Sequence, residues 1–247
     1  MKPAAFLFDL DGTLIDSEGA WARAIVSWLA AHGQQAECSE ILALIFGHSW
    51  PDVDALVHAK FPALGAVHLK NDAVELREHY ARVVRDPASQ IIPSAVAFLR
   101  QVSRLAPCVI VSGSPHRDVQ AAAELCGISG CLRFVLGSDD YGRGKPAPDG
   151  FLKAATMLDV DASECVVVED STVGVAAGRA AGMQIIGVNR HSDCVQDFSG
   201  CDWLVHDLAE LDVRAVFGED VGLTDQARLQ ARSIIGKIAS KIVRNAE

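Results

Sequence analysis

Four sets of polar residues stand directly after short apolar runs, and their types suit phosphoryl transfer. Asp9 and Asp11 follow Ala4–Phe8 in the segment Phe8-Asp9-Leu10-Asp11-Gly12-Thr13. Ser112 and Gly113 follow Cys108–Val111, Lys145 lies between Gly144 and Pro146, and Glu169 and Asp170 follow Cys165–Val168. A carboxylate such as Asp9 can attack phosphorus and form an acyl phosphate that water then hydrolyses. Asp11 comes beside the leaving oxygen if the chain turns at Gly12, where it can protonate that oxygen and later deprotonate the water. Carboxylates this close repel one another and the substrate. A hard divalent cation relieves both, and Mg²⁺ with its preference for oxygen donors suits the set. Asp9, Asp170, Glu169 and the backbone carbonyl of Asp11 are the expected ligands. Lys145, on a loop stiffened by Pro146 and Pro148, balances the remaining charge. Leu10, Asp11, Ser112, Gly113 and Lys145 form the expected phosphate-binding set, Ser112 through its hydroxyl and Gly113 through an unobstructed amide.

Each residue also has a plainer reading. Asp9 alone would be a turn residue, but Asp11-Gly12-Thr13 beside it argues otherwise. Lys145 alone would be a solvated loop lysine. Glu169 and Asp170 could cap the next helix through its dipole, a role left open for one of them. Ser114, His116 and Arg117 either touch substrate or begin a helix. His48, Ser49 and Trp50 are candidate substrate contacts. Trp21 and Trp28, seven residues apart, are expected to pack rather than bind. The eight histidines show no metal-ligand spacing, so zinc is not expected.

The elements that position these residues follow from the hydropathy pattern. Five buried strands, at 4–8, 108–111, 132–136, 165–168 and 185–188, alternate with helical stretches and imply a parallel sheet covered on both faces. Ligands bind such sheets outside the carboxyl ends of the strands, where the polar sets fall. Pro93–Leu105 reads as a helix. Ser171–Ala181 reads as another, capped by Ser171 and stopped by Gly182. From about Ser17 to Asp86 the pattern is helical only, around 21–32, 39–46 and 72–84. That is too long for a crossover, and it implies a cap over the first loop. Leu229, Ile234, Ile235, Ile238 and Ile242 mark an amphipathic tail helix facing the core or a partner subunit.

Composition sets limits. The 247 residues carry 22 basic and 32 acidic side chains, a net charge of −10, which argues against nucleic acid as a partner. Seven cysteines with no CxxC pair imply reduced thiols in a cytoplasmic protein. Asp9 and Asp11 interrupt the first apolar stretch, so no signal peptide is expected. No run of about 18 apolar residues offers a membrane span. A monomer or a homodimer fits equally.

These motifs resemble, in order, the four motifs of the haloacid dehalogenase superfamily. Phe8-Asp9-Leu10-Asp11-Gly12-Thr13 matches the first, Val109-Ile110-Val111-Ser112 the second and Gly144-Lys145-Pro146-Ala147-Pro148-Asp149 the third. Val167-Val168-Glu169-Asp170-Ser171, with Gly174 and Ala181-Gly182-Met183, matches the fourth. The insertion between the first and second motifs is similar to the branch holding phosphoglycolate phosphatases and β-phosphoglucomutases, with Asp16-Ser17-Glu18 at the hinge. The resemblance implies an α/β, Rossmann-like parallel sheet core with an inserted all-helical cap. The expected boundaries are 1–16 and 93–212 for the core, 17–92 for the cap and 213–247 for a C-terminal extension. It also implies a Mg²⁺-dependent phosphatase acting on a small phosphorylated metabolite, a sugar phosphate or phosphoglycolate-like compound, through an aspartyl phosphate. The alternatives are a phosphosugar mutase and a catalytically silent regulator. Mutases carry a histidine and an arginine where Trp21 and Trp50 align, and dehalogenases and phosphonatases lack an acid where Asp11 stands, so hydrolysis of a phosphate ester is the expected chemistry.

Overall fold

The computed structural model of the protein describes residues 2–48, 50–69, 74–190 and 195–218. Its core is one six-stranded parallel sheet: β1 (Ala5–Phe8), β2 (Cys108–Val111), β3 (Val135–Leu136), β4 (Cys165–Glu169), β5 (Gln184–Val188) and β6 (Trp203–Val205). The spatial order is β3-β2-β1-β4-β5-β6. β1 lies in the middle between β2 and β4, with Phe8 opposite Ile110 on one side and Val168 on the other. The loops after β1, β2 and β4 therefore open side by side.

Alternation along the strands divides the core. Phe6, Phe8, Ile110, Val166, Val168 and Ile186 point to one face and pack with α5 (Pro93–Val102), α6 (His116–Leu125) and the short α9 (Val213–Val216). Ala5, Leu7, Val109, Val111, Val167 and Ile185 point to the other, under α7 (Asp149–Leu158) and α8 (Thr172–Ala180). Both faces being covered, the strands read as continuous apolar runs rather than alternating ones.

One expected strand needs correction, and one strand was not expected. The third is only Val135–Leu136, since Leu132 ends a 3₁₀ turn. A sixth, β6, adds a half-buried edge of three residues. It is too short, and too closely framed by Asp202 and His206, to give a hydropathy signal.

Between β1 and α5 the described residues include the α-helices α1 (Glu18–Ala31), α2 (Cys38–Ile45), α3 (Trp50–Lys60) and α4 (Val74–Val83). They enclose an apolar cluster of their own, built on Ile25, Trp28, Leu29, Ile41, Val57 and Leu76. The two connections run antiparallel, with Asp16 N–H donating to Gln90 O (2.7 Å) and Ile92 N–H to Leu14 O (3.0 Å). α3 falls between the helical stretches read from the sequence.

Val213 and Val216 of α9 pack into the core; the amphipathic pattern at 229–242 lies outside the described residues. Among those residues no helix is long and apolar enough to cross a membrane. Among the described residues six cysteines are unpaired, with Cys108, Cys126 and Cys165 buried and Cys38, Cys131 and Cys201 partly exposed.

Candidate active site

The loop after β1 is wound tightly, Leu10 O accepting from the amides of Thr13 (3.3 Å), Leu14 (2.8 Å) and Ile15 (3.1 Å). Gly12 turns it at φ +83°, and any side chain there would collide with the Asp170 carboxylate. This winding sends Asp9 and Asp11 to the same pocket. It leaves the Leu10 side chain in the core, so Leu10 can meet a ligand only through its backbone.

Asp9 is buried and anchored by its N–H to Val168 O (2.9 Å). Lys145 Nζ hydrogen-bonds Asp9 Oδ1 and also Glu169 Oε1, the latter at 2.5 Å, while lying 5.4 Å from the Phe151 ring centroid. Burial works against the lysine charge, but Asp9 and Glu169 outweigh it and hold the ammonium above the ordinary lysine range. Glu169 is fully buried, and its Oε2 accepts from Asp170 N–H (3.0 Å), Ser171 N–H (3.1 Å) and Ser171 Oγ (3.0 Å). Ser171 in turn caps α8 through Gly174 N–H. Glu169 thus ties Lys145 to the start of a helix.

Asp170 accepts from Thr13 Oγ1 (3.3 Å) on Oδ1, while its Oδ2 is sealed from solvent with no hydrogen-bond partner. One oxygen each of Asp9, Glu169 and Asp170 lies within 4.8 Å of the others. Three buried carboxylates thus share a single lysine. Burial, and after it the opposing effects of Lys145 and Glu169, push Asp9 up to about 8. Burial and the charges of Glu169 and Asp9 raise Asp170 well above the carboxylate range. An excess of buried oxygen donors with one unpartnered lone pair fits a hard divalent cation.

Asp11 is held differently, by hydroxyls. Ser17 Oγ donates to its Oδ1 (2.5 Å); Ser114 Oγ (2.8 Å) and Ser112 Oγ (3.4 Å) donate to its Oδ2. Ser112 is set by its own N–H to Leu136 O (3.0 Å) and by Tyr141 Oη to its carbonyl (2.7 Å). Of the three residues left open after the second motif, Ser114 reaches the pocket. His116 begins α6 with its ring on Asp140 (2.6 Å), and Arg117 points to Asp118.

Helices of the insertion form the roof. Glu18, Trp21, Gly47, His48, Trp50 and Val53 line the pocket opposite Asp9, Asp11, Ser112, Gly113, Lys145 and Asp170. Gly47, at φ +73°, lets the roof close, because a Cβ there would stand against Ser171. Its N–H donates to Glu18 Oε1 (3.2 Å). Burial first, and then Asp11, push the Glu18 carboxyl up to about 8. Trp28 packs inside the helical cluster as expected, but Trp21 faces the pocket, edge-on to Trp50 (4.6 Å) and stacked on Tyr80 (3.8 Å). The sequence placed Ser17 and Glu18 at a hinge and gave neither a part in the pocket. Both sit at the first turn of α1, and only the tertiary fold brings them over Asp11. Ser49 lies outside the described residues.

Comparison with known proteins gives consistent relations. A haloacid dehalogenase-like hydrolase family matches residues 3–182. "Hexitol phosphatase A" of Escherichia coli (strain K12) is 32% identical over 86% of this chain and 95% of its own length. A "Beta-phosphoglucomutase" of Mycobacterium bovis is 28% identical over 85% of this chain and 92% of its own. The crystal structure of a HAD family hydrolase from Deinococcus radiodurans R1, with bound phosphate and sodium, superposes with a TM-score of 0.63 at 29% identity. That match covers 86% of this chain and 94% of the other.

Proposed function

Because this chain belongs to the haloacid dehalogenase-like hydrolases and is a phosphoric monoester hydrolase, we propose that it hydrolyses a sugar or polyol monophosphate through a phosphorylated Asp9. The observation that carries the reading is the pairing of two carboxylates on one pocket floor, Asp9 on Lys145 and Asp11 among three hydroxyls. Asp9 is the nucleophile, forming a bond to phosphorus as the ester P–O bond breaks. Asp11 gives its proton to the departing alkoxide, then takes one from the water that attacks the acyl phosphate and frees Asp9. The hydroxyls of Ser17, Ser112 and Ser114 hold the Asp11 carboxyl in place for both transfers. Ser112, the Gly113 and Leu10 amides and Lys145 bind the phosphoryl oxygens.

Asp9, Asp170 with its unpartnered Oδ2 and the Asp11 carbonyl would hold the metal, which we take to be Mg²⁺; Glu169 completes the oxygen set while anchoring Lys145. When bound, the ion neutralises charge on the carboxylates and on the phosphoryl group. The proposed boundaries follow the paired connections: 17–92 as the cap, 1–16 and 93–212 as the core. Unpaired cysteines among the described residues favour a cytoplasmic setting.

Among the described lining residues Lys145 is the sole lysine or arginine, and it is occupied by Asp9 and Glu169. The roof instead offers a carboxyl at Glu18, a ring nitrogen at His48 and the indoles of Trp21 and Trp50. These suit hydroxyls and C–H faces, so a substrate with one phosphate and a neutral, hydroxylated remainder is favoured over phosphoglycolate or a bisphosphate. The same lack of a cation on the roof disfavours a mutase, which must hold a second phosphate.

Phosphate release from hexitol, hexose and pentose monophosphates, phosphoglycolate and sugar bisphosphates, each with Mg²⁺, tests the assignment. Polyol or sugar monophosphates should turn over fastest. Preference for phosphoglycolate, or isomerised product without phosphate release, would overturn it.

A further inference from the structure

A second cluster of ligand-type side chains lies on the cap, apart from the lining of the pocket. Asp54 and His58 stand one turn apart on α3, and His68 comes from the segment that follows the 3₁₀ turn Pro62–Leu64. His68 Nδ1 lies 2.9 Å from Asp54 Oδ2, and the two imidazoles stack at 4.3 Å with an interplanar angle of 27°. One ligand atom from each of the three residues lies within 4.8 Å of the other two.

Two further atoms give the cluster its meaning. Asp54 Oδ1 and His58 Nε2 are both sealed from solvent, and neither has a hydrogen-bond partner. They face each other at 3.9 Å, too far for a hydrogen bond. A buried carboxylate oxygen or ring nitrogen left without a partner forfeits its hydration, so folded proteins rarely leave two together. The contact between His68 and Asp54 does not relieve either atom. An ion about 2.0–2.2 Å from each would, since two ligands of one ion can stand this far apart.

We propose that Asp54, His58 and His68 bind a divalent transition ion of the Zn²⁺ type. Two imidazoles and one carboxylate favour a borderline ion over Mg²⁺, which the all-oxygen centre around Asp170 suits instead. Water completes the coordination on the exposed side, where His68 is half open to solvent. The ion joins α3 to the chain around His68, and α3 also supplies Trp50 and Val53 to the pocket roof. It therefore braces the helix that shapes the substrate side without touching the reacting groups. The spacing escaped the sequence reading because one partner is a carboxylate at i, i+4 and the other histidine lies ten residues farther on.

The test is titration of the full chain with Zn²⁺ and with Co²⁺ under saturating Mg²⁺, followed by calorimetry, by the visible spectrum of bound Co²⁺ and by thermal melting. One ion per chain should bind, with a Co²⁺ spectrum typical of nitrogen ligands and a rise in melting temperature. His68→Ala and Asp54→Asn should each weaken binding more than about tenfold and abolish the thermal shift. His68 is exposed enough that its variant should fold and keep its Mg²⁺-dependent phosphatase activity. Absence of binding under saturating Mg²⁺ would overturn the proposal, as would binding of equal strength in both variants.

Discussion

The floor of the pocket and its roof are built on opposite plans. On the floor two carboxylates are held by several partners each: Glu169 accepts from Lys145, two amides and a hydroxyl, and Asp11 from three serines. The roof presents Trp21 and Trp50 packed edge to face, with Glu18 held by one amide. A preorganised floor fixes charges where charge develops during the reaction. In the proposed function, a roof of rings and a lone carboxyl discriminates by shape and by hydroxyl placement.

The sharpest way to break this contrast is Lys145→Met. Removing the one cation among three buried carboxylates should lower kcat by about 10³-fold on every substrate. It should also lower the melting temperature, since breaking a buried pair by removing one partner costs about 3–5 kcal/mol. Equal activity in the variant would mean that the floor is not organised around this lysine. Chelation should be comparably severe for turnover and reversible with Mg²⁺; activity that survives EDTA would remove the metal from the floor.

Trp50→Ala sharpens the roof side. Losing one face of a pocket is worth about 10–100-fold in kcat/KM for the preferred polyol phosphate. A small aryl phosphate that never reaches the roof should lose less than about threefold. A uniform loss on both would merge roof and floor into one machine.

Glu18→Gln separates the regions by pH. The ordinary carboxyl value is 4.5, and in the folded protein it is pushed up to about 8. Below 4.5 the group is neutral in both states. Above it the unfolded chain ionises while the folded chain keeps its proton, so stability falls as pH rises toward 8. Melting temperatures with chelator should therefore decline less steeply over that window in Glu18→Gln than in wild type. Parallel curves would place Glu18 in a wetter site.

The smallest effect is expected at the Arg77–Asp118 pair (2.8 Å), which joins α4 of the cap to α6 of the core while both side chains stay partly exposed. Arg77→Ala should cost about 0.2–1 kcal/mol of stability and leave kcat/KM within about twofold. A larger change would make the pair a latch.

The floor was readable before the fold because parallel strands must deliver the loops that follow them to one edge. Asp9, Asp11, Ser112, Lys145, Glu169 and Asp170 each follow an apolar run or occupy a Pro-flanked loop, and the sheet order β3-β2-β1-β4 brings them together. Ser114 and Ser17 left no such signal. Hydroxyls are common in turns and at helix starts, and their bond to Asp11 depends on two connections converging. The roof was harder still. α3 begins at Trp50-Pro51, which suggests a loop as readily as a first helical turn. The burial of Glu18 depends on Gly47 approaching Ser171. β6 and the Asp54–His58–His68 cluster share that difficulty, being contacts made by the fold rather than by a periodic pattern.

In the proposed function the phosphoryl group passes through Asp9. Acid quenching of a single turnover with a labelled polyol phosphate, followed by peptide mapping, tests it directly. An acid-stable phosphoryl group should appear on the peptide carrying Asp9, formed and lost fast enough to lie on the path and absent from Asp9→Asn. Full turnover with no phosphorylated peptide at any time, or with the label on another residue, would contradict it.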